Sequence, residues 1–248
     1  MTFRHRLSTT LTVGLTTACA AASAPAPTLS PPEDVRPILD RSHLIARTDT
    51  LVLRTLDDST GTVVEVFGVE PDAVTHSITA IAHGRVTQHV EVRLDTRSFA
   101  LATVTDSIQE ETVALNYLEG QVQGTRVVLD SKTGRRDSVR LALPLPTGTF
   151  DRRTLGLLLR LFPLSTGARF SFPMFDSWSQ RVATVLVMVQ DTVPFHVAKS
   201  TVAAHRLVVQ GDLFLLPRVY YVTVESPRRI LRIEQDRWTW ELASWPKR

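Results

Sequence analysis

Thr149-Phe150-Asp151-Arg152-Arg153-Thr154-Leu155-Gly156-Leu157-Leu158-Leu159-Arg160-Leu161-Phe162-Pro163 is the one strongly helical run in a chain of 248 residues that otherwise reads as strands. Asp151 or Thr149 can cap its start, because a short oxygen side chain accepts from the free N–H groups of the first turn. Pro163 disfavours helical backbone in the residue before it and so sets the stop. Leu155, Leu158, Leu159 and Phe162 recur at i, i+3, i+4 and i+7, which places them on one helical face. Such a face needs a surface to cover, and the strands before and after it in sequence supply one.

Working outward, short alternating runs arrive with turn signals between them, the pattern of an antiparallel sheet. Val74–Ala82 and Val86–Leu94 form a hairpin about His83-Gly84-Arg85. An odd loop opposes Ile78 to Val90 and Val74 to Leu94, whereas a two-residue loop would mix core and solvent faces. Asp130-Ser131-Lys132-Thr133-Gly134 makes a second turn, with Gly134 free to take the left-handed position of a bulged hairpin. Beyond the helix the strands resume from Ala168 to Leu242, for about 14 in all, with no fixed repeat and no internal linker. Strand twist accumulates across so large a sheet and makes it curl. The expected fold is therefore mainly β (α+β): a single curved antiparallel sheet or incomplete β-barrel, with one helix over about residues 149–163 packed on its concave face.

The amino-terminal residues carry the marks of export. Arg4 and Arg6 form a positive region, Leu7–Leu15 a short apolar one, and Ala18–Ala24 a small-residue cleavage zone. The predicted organisation is a signal peptide at 1–24, a Pro/Ala-rich linker at 25–37 and a single β-rich domain at 38–245. Without Arg4 and Arg6, the mature chain carries 26 basic against 25 acidic residues, a balance that excludes a nucleic-acid footprint. Leu15-Thr16-Thr17-Ala18-Cys19 resembles a bacterial lipobox, although Leu15 stands one place too far from the cysteine. Cys19 is the only cysteine, so no internal disulfide forms. It is either a small residue inside a discarded signal or the site of lipidation. The product is exported, to the periplasm or the outer membrane, with contact to a membrane only through that anchor.

The familiar catalytic kits are missing. No Gly-x-Ser-x-Gly elbow, His-Glu-x-x-His, Cys-x-x-Cys, phosphate-binding loop or Gly-x-Gly-x-x-Gly occurs, which argues against an enzyme and against a cofactor. His76, His89 and Glu91 could hold a metal only if one strand pair aimed them together, and half-solvated strand histidines are the commoner case. Asp57-Asp58 and Glu110-Glu111 are paired carboxylates at turns, where solvated charge is the ordinary reading. Trp238 and Trp240 share one face of the last strand, and Phe170, Phe172 and Met174 share a face of another. These aromatic faces line an apolar cavity or form ordinary core. Trp178, beside Asp176 and Ser177, reads as a loop anchor.

Val202–Val209, the Gln210-Gly211-Asp212 turn, Tyr220–Val224, Ser226-Pro227-Arg228-Arg229 and Ile230–Ile233 together resemble a family of exported bacterial proteins of unknown function. That family's β-rich domain is similar to the lipoprotein-sorting carriers of LolA/LolB type. Its Pro-Ala-Gly turn is replaced here by Val197-Ala198-Lys199-Ser200-Thr201. The resemblance implies an incomplete barrel lidded by the helix, with acyl chains held in the hollow. The candidate ligand-binding residues are then Leu155, Leu158, Leu159, Phe162, Phe170, Phe172, Trp238 and Trp240. Arg228 and Arg229 read as solvated turn charges, with an anionic head-group clamp as the alternative. The expected partners are a lipid or other apolar small molecule, or an envelope protein. The competing expectation is an envelope scaffold or interaction module with a fully packed core.

Overall fold

The computed structural model describes residues 33–55, 60–130, 132–197 and 199–245. The leader, Cys19 and Asp57-Asp58 lie outside them. Eight strands precede the helical region: β1 Arg47–Thr55, β2 Thr60–Val69, β3 Ala73–Ala82, β4 Arg85–Asp95, β5 Leu101–Ile108, β6 Glu111–Leu118, β7 Gln121–Leu129 and β8 Arg136–Pro144. A short β9, Phe150–Asp151, leads through a 3-10 turn at Arg152–Thr154 into the helix α1, Leu155–Leu161. The chain closes with β10 Arg169–Asp176, β11 Arg181–Val197, β12 Ser200–Gly211, β13 Arg218–Thr223, β14 Ile230–Gln235 and β15 Trp238–Leu242.

All these strands belong to one sheet, ordered β8-β7-β6-β5-β4-β3-β2-β1-β15-β14-β13-β12-β11-β10-β9. Every neighbouring pair is antiparallel except β9 with β10. The amino-terminal and carboxy-terminal halves therefore meet through β1 and β15, where Leu53 opposes Trp240. The sheet cannot be flat. Tyr117 on β6 and Phe175 on β10 are eleven strand steps apart in this order, yet their rings meet edge to face at 6.5 Å. At about 4.8 Å per step a flat sheet would hold them roughly 50 Å apart. The sheet curls into an incomplete barrel, as its strand number demands, and α1 lies inside the curl.

The helix is shorter than the sequence suggests. Residues 149–151 do not join it, because Phe150 buries its ring edge to face against Phe172 at 6.1 Å and pairs its backbone with β10. Asp151 then caps the turn that follows, accepting from the Arg153 N–H at 2.9 Å. Phe162, extended at φ −63° and ψ 145°, ends the helix before Pro163 as pre-proline sterics require. Nor is one face enough to describe α1: Leu155, Leu157, Leu158, Leu159, Arg160 and Leu161 are all buried. A helix apolar nearly all round belongs inside a core, and its surroundings make this one central rather than a lid.

At the β3–β4 hairpin, the predicted pairs Ile78–Val90 and Val74–Leu94 are present, but the loop is the two-residue His83-Gly84, with both residues at positive φ. An extra residue at Thr87 shifts the register between the turn and the body. The bulge keeps the core face aligned while the tight primed turn follows the strand twist. β11 runs as one long strand from Arg181 to Val197, with a register shift between Val189 and Thr192. The packed body also begins before residue 38, since Val35 is in the core and the Glu33 N–H donates to the Ser171 carbonyl at 2.8 Å.

Candidate functional site

Two buried charge clusters fix the helix. At its start, Arg153 donates to Asp106 at 2.6 Å, to Asp151 at 3.1 Å and to the Ser177 hydroxyl at 3.1 Å. One cation faces two carboxylates, and neutral donors serve the surplus: the Tyr117 hydroxyl to Asp151 at 2.5 Å and the Gln88 amide to Asp106 at 3.1 Å. Burial works against the Arg153 charge, but Asp151 and Asp106 outweigh it and hold the guanidinium more firmly protonated than usual. Burial, with the Asp151 charge beside it, pushes the Tyr117 phenol strongly upward. Neighbouring Arg152 pairs with Asp176 at 3.2 Å and lies over Trp178, which stays 38% exposed.

At the other end, Arg160 is 1% exposed and donates to Glu65 and to the Gly156 carbonyl. Asp49, entirely buried, takes Arg229 and Arg47, the latter at 3.1 Å. Burial, then Arg160 and Arg229 nearby, lowers the Arg47 guanidinium to about 9. Arg228 turns inward and donates to the carbonyl oxygens of Phe162 and Arg160, covering the carboxy-terminal carbonyls of α1. The reading of Arg228 and Arg229 as solvated turn charges is therefore corrected. Both are partners of buried groups, because the turn that carries them folds against the helix end. The sequence carried one overlooked signal: Arg160 stands in an otherwise apolar helix, and a buried guanidinium must find carboxylates.

His76 belongs to this second cluster. It is fully buried, stacks on Phe67 at 4.3 Å and, among the described residues, finds a hydrogen-bond partner for neither ring nitrogen. The charged groups around it are Glu65, Arg160 and Arg47. Burial, then Arg160 and Arg47, holds its pKa well below 6.5. The unfolded chain therefore takes up a proton near pH 6.5 that the folded chain refuses. Stability is fully present above that pH and declines below it, by at most about 1.4 kcal/mol per pH unit for one proton. His43 and His205 are shifted in the same direction by burial and Arg228 and add to the slope. Carboxylates act lower: Asp176 is buried, but Ser179 and Arg152 keep it below 3.8, so its contribution is lost only under about pH 4. Thermal melts should thus show the melting temperature falling from pH 7 to pH 5.5, and His76→Leu should remove the steepest part of that fall. An unchanged slope in the variant would refute the assignment.

His76, His89 and Glu91 do not converge. His76 opposes buried Val92, whereas His89 and Glu91 alternate with Val90 and Val92 and point to the other face. Glu111 of the second carboxylate pair is bound by Arg126 at 2.7 Å.

Between the two clusters the packing is incomplete. A hollow of about 360 Å³ lies among the start of α1, strands β2–β4 and strands β13–β15, and Glu65, Gln88, Arg152 and Arg153 are part of its wall. Tyr220, Ile233 and Trp240 form an apolar cross-strand row in that wall, with Ile230 on the same sheet and Leu155 and Gly156 contributed by α1. Its outer part carries Arg218, Gln235 and Trp238, with Phe214 beside them, and Trp238 is half exposed. Of the residues expected to touch a ligand, Leu155, Trp238 and Trp240 line this space. Leu158, Leu159, Phe162, Phe170 and Phe172 sit elsewhere, in the packed core, where Phe162 stacks on Phe170 at 4.4 Å. Periodicity could assign them to the interior but not divide the interior into filled and unfilled parts.

A single sheet curled around a buried helix, with a hollow the size of a small ligand site beside it, defines a barrel-like β protein. The chain belongs to the family described as "Protein of unknown function (DUF3108)", whose model matches residues 49–235. It is similar to a solved "Beta-barrel-like Protein of Domain of Unknown Function DUF1849 from Brucella abortus" at 12% identity and a TM-score of 0.42, over 81% of this chain and 97% of that one. The comparison with curated proteins gives no match.

Proposed function

We propose that the chain is an exported, LolA/LolB-like envelope protein that acts without catalysis, holding an apolar or lipid-like molecule beside α1. The hollow carries the reading. At about 360 Å³ it falls within the range of small-molecule sites, roughly 300–1,000 Å³, and Tyr220, Ile233, Trp240 and Leu155 give it an apolar, partly aromatic stretch of wall. Gly156 points to the same use. Glycine inside a helix costs about 0.5–1 kcal/mol relative to alanine, and a Cβ here would meet only ordinary contacts, the nearest at 3.5 Å. Its absence widens the hollow. The absence of catalysis is supported by the charges at the helix start and at Glu65, which are committed to one another: Arg152 with Asp176, Arg153 with Asp106 and Asp151, Glu65 with Arg160. Export rests on the leader at 1–24, with Cys19 as the candidate lipid anchor. Replacing Cys19 by serine should release an anchored protein from the membrane fraction.

Solvent extraction of the denatured, purified protein should yield a lipid-like molecule by mass spectrometry, and the stripped protein should take up a fluorescent fatty acid. Gly156→Leu should fill the hollow and weaken that uptake about tenfold or more, the scale of one well-buried aliphatic side chain set against the ligand. No extracted molecule and no uptake would remove the reading. A second reading, an envelope interaction module, is favoured by β8, whose residues 136–140 are all exposed and whose outer edge pairs with no strand among the described residues. It becomes the better account if the hollow takes up nothing.

A further inference from the structure

The hollow is not uniform from inside to outside, and the polarity gradient selects a class of ligand. Arg218 and Tyr220 lie on one face of β13, two residues apart, so the inner row of Tyr220, Ile233 and Trp240 is followed one step outward by Arg218, Gln235 and Trp238. The other arginines beside the hollow are paired with carboxylates. Arg218 is not: among the described residues no carboxylate reaches it within ion-pair distance. Its guanidinium lies over the Phe214 ring at 4.7 Å and hydrogen-bonds with the Tyr220 phenol in the wall of the hollow. A cation that lines a cavity and is neutralised by no carboxylate among its described neighbours can take an anion from the ligand. Arginine's planar fork matches a carboxylate or phosphate in bidentate geometry.

Resting on the reading of the hollow as a ligand site, we propose that its ligand is an amphiphile whose anionic group, carboxylate or phosphate, sits on Arg218 at the mouth. Its apolar chain then runs inward along Tyr220, Ile233 and Trp240 towards α1. The volume of about 360 Å³ equals about twelve water-sized volumes at roughly 30 Å³ each, which suits a chain of medium length.

Trp238 and Trp240 line the site, so tryptophan fluorescence of the stripped full chain can follow binding directly. The probes are decanoate, decyl phosphate, decanol and inorganic phosphate, titrated at low salt. Decanoate and decyl phosphate should bind about 10- to 100-fold more tightly than decanol, the range of a charge-assisted hydrogen bond. Arg218→Gln should shrink that preference to within about threefold while leaving decanol affinity unchanged, and Arg218→Lys should keep part of it. Unchanged decanol binding certifies that the variant is folded. Equal binding of acid and alcohol by the parent chain, or an intact preference in Arg218→Gln, would overturn the assignment of the head group. Inorganic phosphate competing as well as decyl phosphate would make this a free-anion site and also overturn it. If none of the four binds, the ligand reading itself fails, an outcome distinct from the others.

Discussion

Replacing Arg160 by methionine should cost about 3–5 kcal/mol in urea unfolding, a large share of the stability of a domain this size. The substitution keeps the aliphatic bulk but leaves Glu65, 6% exposed, without the guanidinium that pairs with it. His76, at 3.8 Å and unprotonated at neutral pH, and the more distant Arg47, which is bound to Asp49, are then left near that carboxylate. Most of the penalty is this uncompensated charge rather than the value of the pair. Adding Glu65→Leu to Arg160→Met should therefore recover much of the loss, since replacing both members of a buried pair by apolar groups is often close to neutral. A second signature follows from the geometry. Arg160 is one of the charges that hold His76 deprotonated, so in Arg160→Met the loss of stability below pH 6.5 should become shallower. A cost under about 1 kcal/mol, or a double variant no better than the single one, would show that Glu65 is solvated in a way its burial does not indicate.

Asp151→Ala should be comparably severe, at about 3–5 kcal/mol, for three reasons that act on one side chain. Asp151 is fully buried, accepts from the Tyr117 hydroxyl and the Arg153 guanidinium, and caps the turn that opens the helical segment. Graded variants separate these roles. Tyr117→Phe removes one hydrogen bond and should cost about 1.5–3 kcal/mol, the range for a donor to a charged acceptor. Asp151→Asn keeps an oxygen for the cap but removes the charge facing Arg153, and should fall between the two. The same ordering should appear in hydrogen exchange at residues 152–156, the first to lose protection when the cap is lost. If Asp151→Ala unfolds no more easily than Tyr117→Phe, the cap and ion pair are not what hold the segment.

These two clusters explain why a helix of seven residues persists. A run so short is unstable alone. Here it is enclosed by the curl, with Arg153 anchored to β5 at one end and Arg160 anchored to β2 at the other. The chemistry at its flanks is structural, and its effect on function is to hold the Leu155–Gly156 wall of the hollow in place.

The residues that order the strands were legible one hairpin at a time. Alternation placed Ile78 opposite Val90, and Gly134 takes its positive φ at the predicted turn. Leu155, Leu158, Leu159 and Phe162 were recognisable as interior from spacing alone, and the pre-proline stop at Phe162 follows from a steric rule one residue long. The shortened start was not legible, because Phe150 leaves the helix for a partner, Met174, that lies far along the chain. Arg228 and Arg229 were read as solvent-facing for the same reason: a turn sequence carries no record of what it folds against.

The sequence by itself determined the class of fold, because strand period, turn residues and a proline stop act over a few neighbours and are written locally. It also determined that one charge, Arg160, lies within an apolar helix. Only the tertiary structure decided which carboxylates meet that charge, which aromatic rings pack tightly and which border empty space. Those outcomes depend on the curl that brings β6 to β10 and β14 to α1. Curvature is a sum over fifteen strands rather than a property of any one of them. That Arg218 meets no carboxylate among the described residues is its consequence: the hollow exists where the curled sheet and the short helix do not quite fill one another.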